Sequence, residues 1–336
     1  MRKQLAIISL VLTAVSVAGL CSAQEVQCDP TKVMTAEACA KCHANEFSVW
    51  QKTPHFRTYQ ELSRRPRAKE ICKKMGLRSV KRSDVCIQCH YTQKVSNGKN
   101  KPVSGISCES CHGASKEWLT KHNDYGGPTA TKESEAPSHK RQRLDDCLAL
   151  GMNNTRDLYS IAMNCFNCHT VPNEELVNKG GHLAGTEAFE LVSWSQGMMR
   201  HNFLRGGNVK NVESKPDRLR VMYVVGLIAD LEYSTRATAV ATKKSKFGLT
   251  VAQRAADKAK KLYEVQLKIN HADVQQILEK FASAQLKINN SSQLTSIADE
   301  INLLGRKFAK EADGGKLEAV DEWLPDSTDY KWKPSR

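Results

Sequence analysis

Four times in 336 residues the chain reads Cys-x-x-Cys-His: CAKCH at 39–43, CIQCH at 86–90, CESCH at 108–112 and CFNCH at 165–169. No other feature limits the possible folds as much. Two thiols separated by two residues lie on one turn of chain, where each can form a thioether with a vinyl group of one porphyrin. The next residue then projects over the iron, and its imidazole serves as the proximal ligand. The motifs therefore predict four covalently attached c-type haems. Cys39 and Cys42, Cys86 and Cys89, Cys108 and Cys111, and Cys165 and Cys168 are the attachment points; His43, His90, His112 and His169 are the iron ligands. Rival readings explain less. Four-cysteine zinc sites need no histidine after every pair. Redox dithiols call for a strand–helix alternation that is missing around these motifs. Plain disulfides leave the four histidines without a role.

Each iron has a second axial position, and six further histidines could fill it: His55, His122, His139, His182, His201 and His271. His55 follows His43 by twelve residues, and His122 follows His112 by ten. Links this short are awkward for closing the haem just attached, because the chain must pass around the macrocycle. They are better suited to a neighbouring haem, so that the histidines staple haems together and the array becomes the core. His182 sits among glycines that let backbone approach a flat ring, and His201 is the other late candidate. His139 is a weaker one. His271 lies in a long helical pattern remote from the motifs and reads as structural.

The layout resembles the tetrahaem cytochrome c-554 family over about residues 35–205. A first CxxCH is followed by "W..TPH" at Trp50–His55, a second follows, a third sits in "GISCESCHG" and a fourth lies beyond. The resemblance implies three bis-histidine haems and one five-coordinate haem, the second along the chain, held by His90. It also implies that His55 serves the third haem, His122 the fourth, and His182 or His201 the first. Two late candidates leave open whether the second haem is closed here. Single-electron transfer between redox proteins, in a nitrogen-respiring setting with a hydroxylamine oxidoreductase-like donor, is the implied function. The alternative is reduction of nitric oxide, or a similar nitrogen oxide, at an open His90 haem.

The flanks carry less chemistry. Arg2 and Lys3, the apolar run Leu5–Leu20 and Cys21-Ser22-Ala23 read as a signal segment, 1–23, removed after Ala23. Export to a bacterial periplasm follows, with no integral membrane span in the mature chain. The net charge of +14 suits an acidic partner or anionic cofactor groups; export argues against nucleic acid. The densest basic run, Arg64–Arg82, is either a solvated surface or a docking patch. Aromatic residues make up only 6% of the chain, so something besides side chains should fill the core of residues 24–212. Cys28, Cys72 and Cys147 remain outside the motifs, enough for one disulfide and one thiol. From about Ser214 the pattern becomes helical: one helix begins near Pro216, a second is capped by Thr250 and a third spans about 292–312. The expected fold is mostly α: short helices and loops around four haems (24–212), a helical bundle (213–312) and an irregular tail (313–336). The oligomeric state is left open.

Overall fold

The computed structural model describes residues 28–331; the expected signal segment lies outside them. The chain is mostly helical. It begins with α1 (Ala36–Ala40), α2 (Ala44–Gln51) and α3 (Pro54–Glu61). Thr53 caps α3 by accepting from the Phe56 N–H, and Pro54 takes the first helical position, where its missing N–H costs nothing. Next come α4 (Pro66–Met75), closed by Gly76 in the left-handed conformation, and α5 (Asp84–His90). A hairpin follows, β1 (Thr92–Ser96) against β2 (Lys99–Ser104), turning at Asn97-Gly98 with both residues at positive φ. That dipeptide is the preferred content of a tight hairpin turn.

The remaining short helices are α6 (Cys108–His112), α7 (Pro137–Ala149), α8 (Leu158–His169), α9 (Glu174–Asn178) and α10 (Leu191–Gln196). Four longer ones close the fold: α11 (Pro216–Ala239), α12 (Lys246–Ile269), α13 (Ala272–Ala282) and α14 (Ser291–Glu311). Helix α11 is buried nearly all round and packs against α8, α10, α12 and α14. Among the described residues no helix is long and apolar enough to cross a membrane; α11 is enclosed by other helices.

Two expectations for the bundle change. Thr250 lies inside α12, which starts four residues earlier because Asn178 of α9 accepts from the Phe247 N–H and Phe247 is buried. The long pattern from residue 250 also breaks at Asn270, whose left-handed backbone ends α12; His271 then caps α13, its Nδ1 accepting from the Asp273 N–H.

The main core joins Leu158, Tyr159, Met163 and Phe166 of α8 to the bundle. At its centre the buried Glu232 carboxylate accepts from the Tyr159 hydroxyl (2.7 Å) and the Asn302 amide (3.0 Å), and Arg236 pairs with it at 2.8 Å. A buried carboxylate needs this many partners. The helix carrying the fourth motif is thereby locked to residues beyond 213. Between 28 and 157 the apolar side chains form a small cluster around Cys72, Val80, Ile87 and Tyr91 and an aromatic contact of Phe47, Trp50 and Phe56.

Candidate haem-binding site

Helices α5, α6 and α8 contain their CxxCH motifs, and the first motif continues the turn that ends α1: the His43 N–H donates to the Cys39 carbonyl at 2.9 Å. Helical geometry puts residues i, i+3 and i+4 on one face. Both thiols and the histidine of each motif therefore look the same way. All eleven described cysteines are free thiols.

The histidines meet in pairs. Ring centroids lie 6.4 Å apart for His43 and His122, 6.4 Å for His55 and His169, 6.3 Å for His90 and His182, and 6.1 Å for His112 and His201. Each pair holds one motif histidine and one of the distal candidates. Two metal–imidazole bonds of about 2.0 Å, plus roughly 1.1 Å from each nitrogen to its ring centre, separate two rings that point at one metal by about 6.2 Å. His139 and His271 stand apart from the pairs. His139 binds the Glu135 carboxylate at 2.9 Å, and His271 packs on Phe308.

Several Nδ1 atoms are engaged outside the pairs, which leaves Nε2 for a metal. His122 bonds the Leu119 carbonyl, His201 the Met199 carbonyl (2.5 Å), His182 the Leu183 carbonyl (2.9 Å), and His112 the Asn153 carbonyl (3.3 Å). His169 bonds the Thr186 hydroxyl at 3.2 Å, and His43 lies 3.7 Å from the Glu46 carboxylate. The buried His55 Nδ1 has no partner. Burial pushes His55, His90, His112 and His169 down to about 4, so these imidazoles are neutral, the form that ligates metals. Among the described residues no three His, Cys, Asp or Glu side chains converge on a bare ion. Pairs of imidazoles beside CxxC thiols fit a haem, which brings the other four iron ligands itself.

This pairing differs from the one the resemblance implies. His122 faces His43 and not His169, His55 faces His169 and not His112, and His182 stands opposite His90. Neither His55 nor His122 faces the motif just before it. The cause is a fold-back. The Lys116 N–H donates to the Lys32 carbonyl at 2.9 Å, so the chain after the third motif runs beside the chain before the first. Glu109, inside CESCH and fully buried, ties the two together: it accepts from the Met34, Thr35 and Ser115 amides and from the Ser115 hydroxyl at 2.6–2.9 Å. Sequence reasoning passed over Glu109, although its place within the most specific string was a signal.

The thiols show the same grouping. Cys39 lies beside Cys108 and Cys89 beside Cys168, and Cys111 lies near Cys165 and Cys168, with the Asn164 amide donating to the Cys111 carbonyl at 3.0 Å, so the motifs adjoin in the order one, three, four, two. Cys72 lies beside Cys86, Cys28 near Cys111, and Cys147 near Arg143; the three extra cysteines occupy separate places.

Covalent CxxCH attachment with imidazole ligands defines a c-type cytochrome. The family described as "Cytochrome c554 and c-prime" matches residues 38–113, which span the first three motifs. Cytochrome c-554 of Nitrosomonas europaea is 26% identical over 96 residues, covering 26% of this chain and 41% of that protein. The match thus spans about two fifths of the relative's length. No solved structure matches.

Proposed function

We propose that this protein is a periplasmic tetrahaem cytochrome that carries single electrons, with every iron closed by two histidines. The four facing imidazole pairs carry the reading, each pair containing one motif histidine. A bound haem supplies one-electron iron chemistry, at low potential when both axial ligands are histidine. The chain's residues would attach the group through two thiols and present paired imidazoles, several of them oriented through Nδ1. The adjoining order of the motifs, one, three, four, two, supports short steps for electrons along the array.

The partners are redox proteins with acidic docking surfaces. Residues 64–82 carry nine Lys or Arg against one Glu, and Arg64, Lys69, Lys73, Arg78 and Arg82 are exposed. This face adjoins a haem site: Arg67 donates to the Gly181 carbonyl at 2.5 Å, immediately before His182. Complementary charge mainly raises the rate of encounter. A nitrogen-compound respiratory setting, with a hydroxylamine oxidoreductase-like donor, is the context that the family likeness favours. Nitrogen-oxide reduction at the His90 haem requires an open position, and the approach of His182 to His90, 6.3 Å between ring centres, favours a closed one. A pyridine haemochrome assay tests the count: four haems per chain support the reading, and fewer overturn it.

A further inference from the structure

The C-terminal bundle reaches one haem site. His169 ends α8, and after an excursion the chain returns so that the Thr186 N–H donates to the His169 carbonyl at 2.8 Å. The Thr186 hydroxyl then meets the His169 Nδ1 at 3.2 Å. A metal-bound imidazole carries its hydrogen on Nδ1, so the hydroxyl is the acceptor. The Phe189 ring stacks on the imidazole, 4.4 Å between centroids and 19° between planes.

Thr186 is held from the bundle. Arg254 of α12 donates to the Thr186 carbonyl at 3.1 Å. Its guanidinium is fixed by a two-pronged pair with Asp230 of α11, at 2.6 and 3.0 Å, and Lys258 adds a contact to Asp230 at 3.2 Å. Arg254 is 9% exposed and Asp230 1%. Gly185 leaves the space this needs: its φ is +93°, and a Cβ there would stand 2.8 Å from the Arg254 guanidinium and 3.0 Å from the His169 carbonyl oxygen. The other recorded Nδ1 contacts of motif histidines do not reach the bundle: His112 has a backbone carbonyl and His43 a carboxylate on the following helix.

We propose that Thr186, held in place by Arg254, is a positioning residue for His169 and sets the potential of the haem attached at Cys165 and Cys168. An acceptor on Nδ1–H makes the imidazole a stronger donor to oxidised iron, which lowers the potential. The bundle is then an outer shell for the fourth site as well as a scaffold. The inference rests on the tetrahaem reading, so the test separates the two.

The experiment is a potentiometric titration of the full haem-loaded chain, with haems counted in every sample. Thr186→Val is expected to move one redox component to higher potential and leave the others in place. Thr186→Ser, which restores the hydroxyl, should titrate like the parent; Thr186→Asn, with a stronger acceptor, should move the same component lower. The double variant Arg254→Met, Asp230→Leu removes both buried charges of the brace together, leaving the part-exposed Lys258 to solvent, and should shift that component upward. Full haem counts with all components unmoved in the Thr186→Val and Thr186→Asn proteins would overturn the proposal and leave the haem reading intact. If Thr186→Val loses haem, the direction of the Thr186→Asn shift decides alone. A parent chain with fewer than four haems overturns the underlying reading itself.

Discussion

His182 faces His90, with 6.3 Å between ring centres and 50° between ring planes. In the proposed reading this pair closes the one site at which the family likeness implies an open iron. The turn that places His182 is built locally: its N–H donates to the Leu176 carbonyl at 3.1 Å, and Arg67 grips the Gly181 carbonyl. Replacing His182 with Ala should convert one haem from low-spin to high-spin without loss of covalent haem. Electron paramagnetic resonance on the oxidised protein reads this directly. An unchanged spin count would remove His182 from the ligand set.

Glu109 should matter to stability more than any other residue between the motif thiols. Its carboxylate is 1% exposed and receives four donors from two distant segments. Glu109→Ala strands those neutral donors, and leaving a buried donor unsatisfied typically costs about 1–3 kcal/mol. Chemical denaturation followed at the haem band is the check, and Glu109→Gln should lose less.

Gly105 has no room for a side chain. A Cβ there would stand 1.9 Å from the His55 carbonyl oxygen, a backbone atom that cannot step aside cheaply. Gly105→Ala is expected to push α3 and His55 away and to cost about 1–3 kcal/mol, as overpacking usually does. A lowered melting temperature accompanied by a change at the His55–His169 site is the predicted signature.

An acid limb should appear from Glu135. Arg143 grips its carboxylate through two hydrogen bonds, at 2.6 and 2.7 Å, and with His139 holds it down to about 2. Arg143 also donates to the His122 carbonyl at 2.5 Å, so the pair braces the His122 segment. The folded carboxyl titrates below its ordinary range. Its stabilising contribution is therefore fully present above pH of about 4.5 and is lost as pH falls toward about 2. Thermal melts of the parent and Glu135→Gln should differ near neutral pH and converge at the acid end. A gap that does not narrow would contradict this linkage.

Docking through residues 64–82 predicts salt-dependent electron exchange. Rates with an acidic redox protein should fall as ionic strength rises, because exposed charges are screened within about 8–10 Å. Charge reversal at Lys69 and Lys73, both exposed, should flatten that dependence in stopped-flow measurements. A salt slope identical to the parent's would locate docking elsewhere.

The candidate motif residues were legible because a spacing of three and four residues is local, whereas the distal candidates carry no spacing of their own. The histidine partnerships were not legible, since His43 meets His122 only through contacts such as Lys32 with Lys116 and Glu109 with residues 34–35, which no nearby spacing announces. The β1–β2 hairpin had a readable sign in Asn97-Gly98 and was passed over. In the bundle, helical periodicity gave α11 its place, but the left-handed Asn270 splits the next pattern in two. Thr186 and Arg254 left no mark in the sequence, because each matters only through the position of the other.

The most direct measurement is a carbon monoxide difference spectrum of the fully reduced protein after its haems have been counted. Four haems with no carbon monoxide bound is the predicted result, every iron being closed by two imidazoles. Binding at even one haem would show an open iron, contradict the four-pair account and return the His90 site to nitrogen-oxide chemistry.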